Sequence, residues 1–227
     1  HVPLMMLERP KRVLVVGGGD GGVLREVLKH PSLTRATLVE IDRSVVDLSL
    51  RYYPEIADGA FDHPKAEIVI ADGLKYVAET RERFDAIIVD SSEPIGPSAV
   101  LHTKSFFADC KRALTDGGVL ITQNGLPFHH PEHLARTSQY FRALFKDASP
   151  FVCTQPCYFG GPFALNFASD DRSLRALPVK TLAARMKRRN IAGRYYTPEV
   201  HVASFALPGY IARAAEGKRP KTTRGRA

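Results

Sequence analysis

No run of apolar residues in this sequence reaches the roughly 18 that a membrane span requires, and no basic head followed by an apolar stretch marks a secretion signal at its start. Those two absences point away from a membrane-spanning or exported protein. A soluble cytoplasmic one, with no membrane partner, is expected. Cysteine is scarce: Cys110, Cys153 and Cys157 are odd in number and fit no zinc spacing, so reduced thiols are expected, with Cys153 and Cys157 packed in the core. Acidic residues are outnumbered, 24 against 32 lysines and arginines, and a net charge of +8 would ordinarily raise nucleic acid as a partner. Much of the excess sits in MKRRN (residues 186–190) and in the tail from Gly217. A solvated helix face and a disordered tail explain it without nucleic acid. Internal repeats are also missing.

What is present is an alternation. With 227 residues, 44% of them hydrophobic, the chain suits one domain with a substantial core. Short β-branched runs (12–17, 36–42, 66–73, 84–92) alternate with stretches at helical spacing (23–30, 44–53, 74–80, 104–114), and a further strand, 119–125, follows an expected turn at Asp116-Gly117-Gly118. That order specifies an α/β fold: a Rossmann-like, doubly wound, mostly parallel sheet of the class I methyltransferase type. Two later runs, 148–156 and 163–170, flank Gly160-Gly161 and predict an antiparallel hairpin at the sheet edge; a helix is expected over 178–190. The core domain is placed at 11–215 including a C-terminal helical segment, with a basic disordered tail over 216–227. His1, not methionine, stands first, as expected of a processed or truncated chain.

Ligands of such sheets bind at the carboxyl ends of the strands. Reading those tips in order gives Asp20 in GGGDGG, Glu40 in VEID, Asp72 in ADG, and Asp90 with Glu93 in DSSEP. One strand-end acid is ordinarily a helix cap or turn residue, but acids on four successive tips crowd like charges and suit a cation between them. Gly17, Gly19 and Gly22 satisfy G-x-G-x-x-G after a strand, and Glu40 is spaced to grip a ribose. A dinucleotide would lay its diphosphate on this loop, where Asp20 opposes it. A positively charged nucleoside is favoured instead, with Asp72 able to accept from an adenine amine. An acid in the glycine loop tilts the preference toward decarboxylated S-adenosylmethionine, although ordinary methyltransferases also hold the amino group with acids.

The segments VLVVGGGDGGVLREVLKHPS, VEID, ADG, FDAIIVDSSEPIGP and PCYFGGPFAL resemble the spermidine synthases, the polyamine aminopropyltransferases, over residues 2–170. The resemblance implies that Gly17, Gly19 and Asp20 bind decarboxylated S-adenosylmethionine, with Asp20 on its aminopropyl side. It gives Glu40 to the ribose and Asp72 with Gly73 to the adenine, counts Ile41 among the residues that bind this co-substrate, and makes Asp90 the catalytic base. Glu93, Tyr158 and, less directly, Gln123 would line the site of the amine, putrescine being the expected acceptor. It further implies a homodimer, no permanently bound cofactor and no metal. The family segment usually has Asp where Glu93 stands, so a shorter pocket with a changed amine preference is one expectation, and a tolerated variant or a side chain turned to solvent the other. Family members also begin with a small β-rich domain, so residues 1–10 are expected to be what remains of an interdomain linker, leaving the amine pocket without one wall.

Other signals are weaker. FHHPEH places His130 and His133 a turn apart near a helix start, but no further metal ligand suggests itself, and an exposed polar turn is favoured. Ser91 and Ser92 lack a nucleophile elbow. Phe106, Phe107, Phe141 and Phe145 recur at helical spacing and are expected in the core. The rival activities are an S-adenosylmethionine-dependent methyltransferase and a non-catalytic nucleoside-binding remnant.

Overall fold

Strands whose residues are nearly all apolar can be buried on both faces, and such strands form the centre of the sheet. The computed structural model describes residues 1–94, 96–159 and 161–218. Its first half runs α1 (Val2–Met6), β1 (Arg12–Gly17), α2 (Gly22–Leu28), β2 (Arg35–Glu40), α3 (Arg43–Tyr52), α4 (Pro54–Ala57), β3 (Ala66–Ile70), α5 (Gly73–Glu79) and β4 (Phe84–Asp90). There follow α6 (Lys104–Ala113), β5 (Leu114–Gln123), α7 (Pro131–Leu144), β6 (Asp147–Cys153), β7 (Phe163–Ser169), α8 (Val179–Arg189), α9 (Pro198–Ser204) and α10 (Gly209–Ala215). The sheet order is β3-β2-β1-β4-β5-β7-β6. Strands β1 to β5 pair in parallel, and β7 is antiparallel to both of its neighbours, which gives the expected hairpin at the edge.

Successive side chains of β1 go to opposite cores. Val13 and Val15 join Leu4 of α1 with Leu24 and Val27 of α2, while Leu14 and Val16 join Phe106, Phe107 and Phe141 under α6 and α7. Phe145 belongs to the second cluster too, so all four phenylalanines are in the core as their spacing predicts.

Three expectations are corrected. The Asp116-Gly117-Gly118 segment is not a turn ahead of β5 but an irregularity within it: Phe84 pairs with Leu114 and Ala86 with Val119, so five residues of β5 are spanned by two of β4. Cys153 is only half-buried and Cys157 is exposed, because the latter lies on the open connection between β6 and β7 and not in either strand. The basic cluster of α8 is solvated only in part: Lys187 and Arg188 are exposed, as expected, but the other face is not. Arg185 and Arg189 are buried, and their guanidinium groups reach the carbonyls that end α1: Arg189 donates to Leu4 (2.8 Å), Leu7 (2.6 Å) and Glu8 (2.9 Å), and Arg185 to Met5 (2.8 Å) and Met6. The physical cause is that Leu4, Met5 and Met6 carry α1 into the core, where its last carbonyls have no water and need donors. The first ten residues, expected as linker, thus contain a buried helix. Of the expected tail, Arg219 onward lies outside the described residues.

Candidate active site

The strand order reverses between β1 and β4, and there Gly17 and Asp90 are partners in register at the carboxyl ends of the two strands. This is the switch point at which a doubly wound sheet opens a crevice. Gly17 leaves β1 with φ of +81°, and a Cβ there would fall 2.3 Å from the Asp90 carbonyl oxygen, so only glycine lets the two strand ends stay this close. At Gly19 a Cβ would fall 2.8 Å from the Glu40 carboxylate, and the Gly19 N–H donates to that carboxylate instead (3.2 Å).

The strand-tip acids divide by what already holds them. Asp20 accepts from Gly22 N–H (2.9 Å) and so shapes the turn into α2, while remaining exposed. Glu40 is buried and accepts from Gly19 and, through its other oxygen, from Asp42 N–H (3.1 Å). Asp72 caps α5 by accepting from Leu74 N–H (2.8 Å), and Gly73 behind it is buried against Val16. Asp72 is therefore a helix cap and Asp20 a turn residue, as is ordinary for such acids. Asp90 differs. Among the described residues no hydrogen bond reaches its carboxylate; burial first, then the charges of Asp20 and Glu40, push it up from 3.8 to about 6. The glycine loop runs past all three acids: a Cβ at Gly18 would fall 2.8 Å from the Asp90 carboxylate, one at Gly19 2.8 Å from that of Glu40, and one at Gly22 3.4 Å from that of Asp20. Beside them Ile41 leaves an apolar side chain 63% exposed, a flat surface on which a planar ring can lie.

Past Asp90 the chain is held by His102 and Ser98, which the sequence did not single out, and by Gln123, which it did. His102, buried at the end of the 3-10 turn Gly96–His102, places Nε2 3.1 Å from Ser91 Oγ and 3.4 Å from the Ser92 carbonyl oxygen; burial pulls its pKa down, so it is neutral at pH 7. Ser98 Oγ donates to the Glu93 carbonyl. Gln123, at the tip of β5, donates through Nε2 to the Ser91 carbonyl (2.5 Å) and accepts from Gly125 N–H (2.9 Å), so it braces the loops of β4 and β5 and both ends of its amide are occupied by backbone. Glu93 is half-buried, and its Oε1 lies against Gly125, where a Cβ would come within 3.0 Å; it is not turned out to solvent. Leu165 of β7 pairs with Gln123, which brings the connection between β6 and β7 to the same end of the sheet as the crevice. Tyr158 sits on that connection, half exposed and stacked on Phe163 (ring centroids 5.5 Å apart).

Chemically, the crevice offers three clustered carboxylates with one of them poised near pH 6, a fourth on the adjoining loop, and an apolar platform. It fits a ligand that is cationic and carries an aromatic ring system.

A family model described as the spermine/spermidine synthase domain matches residues 1–176. A polyamine aminopropyltransferase of Ruegeria sp. (strain TM1040) is 49% identical over 211 residues, covering 93% of this chain and 74% of the relative. Polyamine aminopropyltransferase 1 of Pseudomonas aeruginosa is 45% identical over 214 residues, 94% of this chain and 75% of its own length. Among solved structures, a spermidine synthase in complex with the transition-state analogue AdoDATO superposes with a TM-score of 0.88 at 36% identity, covering 95% of this chain and 72% of that one. The spermidine synthase of Thermotoga maritima gives 0.83 at 35% identity, with coverages of 95% and 71%.

Proposed function

We propose, from the premise that this chain belongs to the spermine/spermidine synthase family and is an aminopropyltransferase, that it moves the aminopropyl group of decarboxylated S-adenosylmethionine onto putrescine with Asp90 as general base. The observation that carries the reading is the state of Asp90: a carboxylate at the switch point, not engaged by backbone amides, and raised to about 6. An aliphatic ammonium has a pKa of about 10.4 and no lone pair with which to attack carbon. Asp90 binds that cation, takes one proton from it, and leaves a neutral amine facing the methylene next to sulfur. The nitrogen lone pair forms the N–C bond as the C–S bond breaks. Its electrons stay on sulfur, so the sulfonium leaves as neutral methylthioadenosine and spermidine carries the new aminopropyl group.

A base raised toward neutrality takes the proton more readily than an ordinary aspartate while remaining ionised at pH 7. The remaining roles follow the contacts. Asp20 and Glu40 supply negative charge to the sulfonium side, with Glu40 already fixed by Gly19 and Asp42 for a ribose diol; Ile41 carries the adenine, whose amine is received by Asp72 with Gly73 at its back. Glu93 and Tyr158 serve the distal end of the acceptor, and Gln123 serves it indirectly by bracing the loop that carries Ser91. Holding amine, methylene and sulfur in line supplies much of the rate.

The test is mass spectrometry of the products after incubation with decarboxylated S-adenosylmethionine and a mixture of putrescine, cadaverine, agmatine and spermidine. A putrescine product heavier by one aminopropyl unit, with methylthioadenosine released, is expected. For Asp90→Asn, nucleoside binding is expected to stay within about twofold while turnover falls by about 10²- to 10⁴-fold. Equal loss of both would make Asp90 structural and overturn its role as base.

A further inference from the structure

At the start of α7, three side chains that play no part in the chemistry above converge. Pro131 occupies the first helical position, which fixes His130 as the residue before the helix and His133 one turn on. Their rings stack with centroids 5.1 Å apart and planes inclined by 13°. Between them, Glu132 Oε1 lies 3.3 Å from His130 Nδ1 and 3.8 Å from His133 Nε2, and the three ligand atoms all lie within 4.8 Å of one another. Four ligands at the zinc distances of about 2.0–2.1 Å from a metal are separated by about 3.3–3.4 Å along the edges of the tetrahedron. Two of the three edges here are already close to that length. Sequence reading stopped at the two histidines; the further ligand is the glutamate inside the same motif.

We propose that His130, Glu132 and His133 form a binding site for a divalent cation of the zinc class, with the fourth position left to water. Two imidazoles and one carboxylate are a donor set of borderline hardness that zinc takes with an open position. The Glu132 carboxylate offsets the positive end of the helix that would otherwise oppose a cation.

The full chain, prepared without an affinity tag, is titrated with Co²⁺ in the absence of substrates. One equivalent is expected to give the visible absorption of a four-coordinate cobalt ion without a thiolate charge-transfer band, and Zn²⁺ is expected to displace it. His133→Ala and Glu132→Gln are expected to weaken binding at least about tenfold with thermal unfolding unchanged, and Cys157→Ser to leave it intact. Absence of saturable one-to-one binding, or binding unaltered in His133→Ala, would overturn the site. Cobalt binding by an enzyme that proves inactive would separate the metal site from the aminopropyltransferase reading.

Discussion

An aspartate raised from 3.8 to about 6 destabilises the fold whenever it is ionised, because the unfolded chain gives up the same proton more easily. Below about pH 4 Asp90 is protonated in both states and contributes nothing; the penalty grows between 4 and 6 and is complete above 6. Two units correspond to about 3 kcal/mol at most. Asp90→Asn is therefore expected to raise the melting temperature at about pH 8, and the gain to vanish as the pH approaches 4; an equal gain at both pH values would show that the shift is not its cause. Glu93 carries a different expectation. It reaches one methylene further than aspartate, and a methylene in an aliphatic pocket is worth about 1–3 kcal/mol. Glu93→Asp is expected to raise kcat/KM for cadaverine relative to putrescine about tenfold, read from paired steady-state assays, whereas an unchanged ratio would remove Glu93 from the acceptor pocket.

Elements in this fold are tied together by polar groups as much as by core packing. Helix α1 is five residues long, too short to stand alone, and it stays in place because Arg185 and Arg189 of α8 supply the donors for its final carbonyls. Removing one of those guanidinium groups leaves buried carbonyls without partners. Arg189→Ala is expected to cost about 2–4 kcal/mol in urea unfolding and to speed hydrogen exchange in α1 more than in β1. Loss of stability with α1 exchange unchanged would contradict the clasp. The basic motif at 186–190 could not reveal this from sequence: a helix with four cations in its last turns reads as solvated until the chain that buries it, some 180 residues earlier, is laid against it. The His102–Ser91–Gln123 brace was equally hidden, since its three residues come from three separate connections or strand ends and carry no shared motif.

Across the whole molecule, a chain of net charge +8 gathers Asp20, Glu40 and Asp90 into one crevice. Cations are drawn to that crevice while the surrounding surface repels them, and such an interaction is screened by salt. Raising ionic strength from about 0.05 to about 0.5 M is expected to raise the acceptor KM several-fold while affinity for neutral methylthioadenosine changes little, measured by initial rates and by calorimetry. Equal effects on both would mean that the clustered acids do not act through charge.

The sequence by itself determined the sheet and the place of the crevice. Runs of Val, Leu and Ile alternating with helical stretches admit one economical arrangement, and Gly17, Gly19 and the tip acids mark its carboxyl edge. Those signals are local, carried by residues adjacent in the chain. What only the tertiary structure decided is which acids are already spoken for: Asp72 by Leu74, Asp20 by Gly22 and Glu40 by Gly19 and Asp42, with Asp90 left open and its pKa raised. Hydrogen-bond partners, burial and the distance between like charges are properties of side chains brought together from different strands, and these contacts leave one of a row of similar carboxylates unengaged while holding the others.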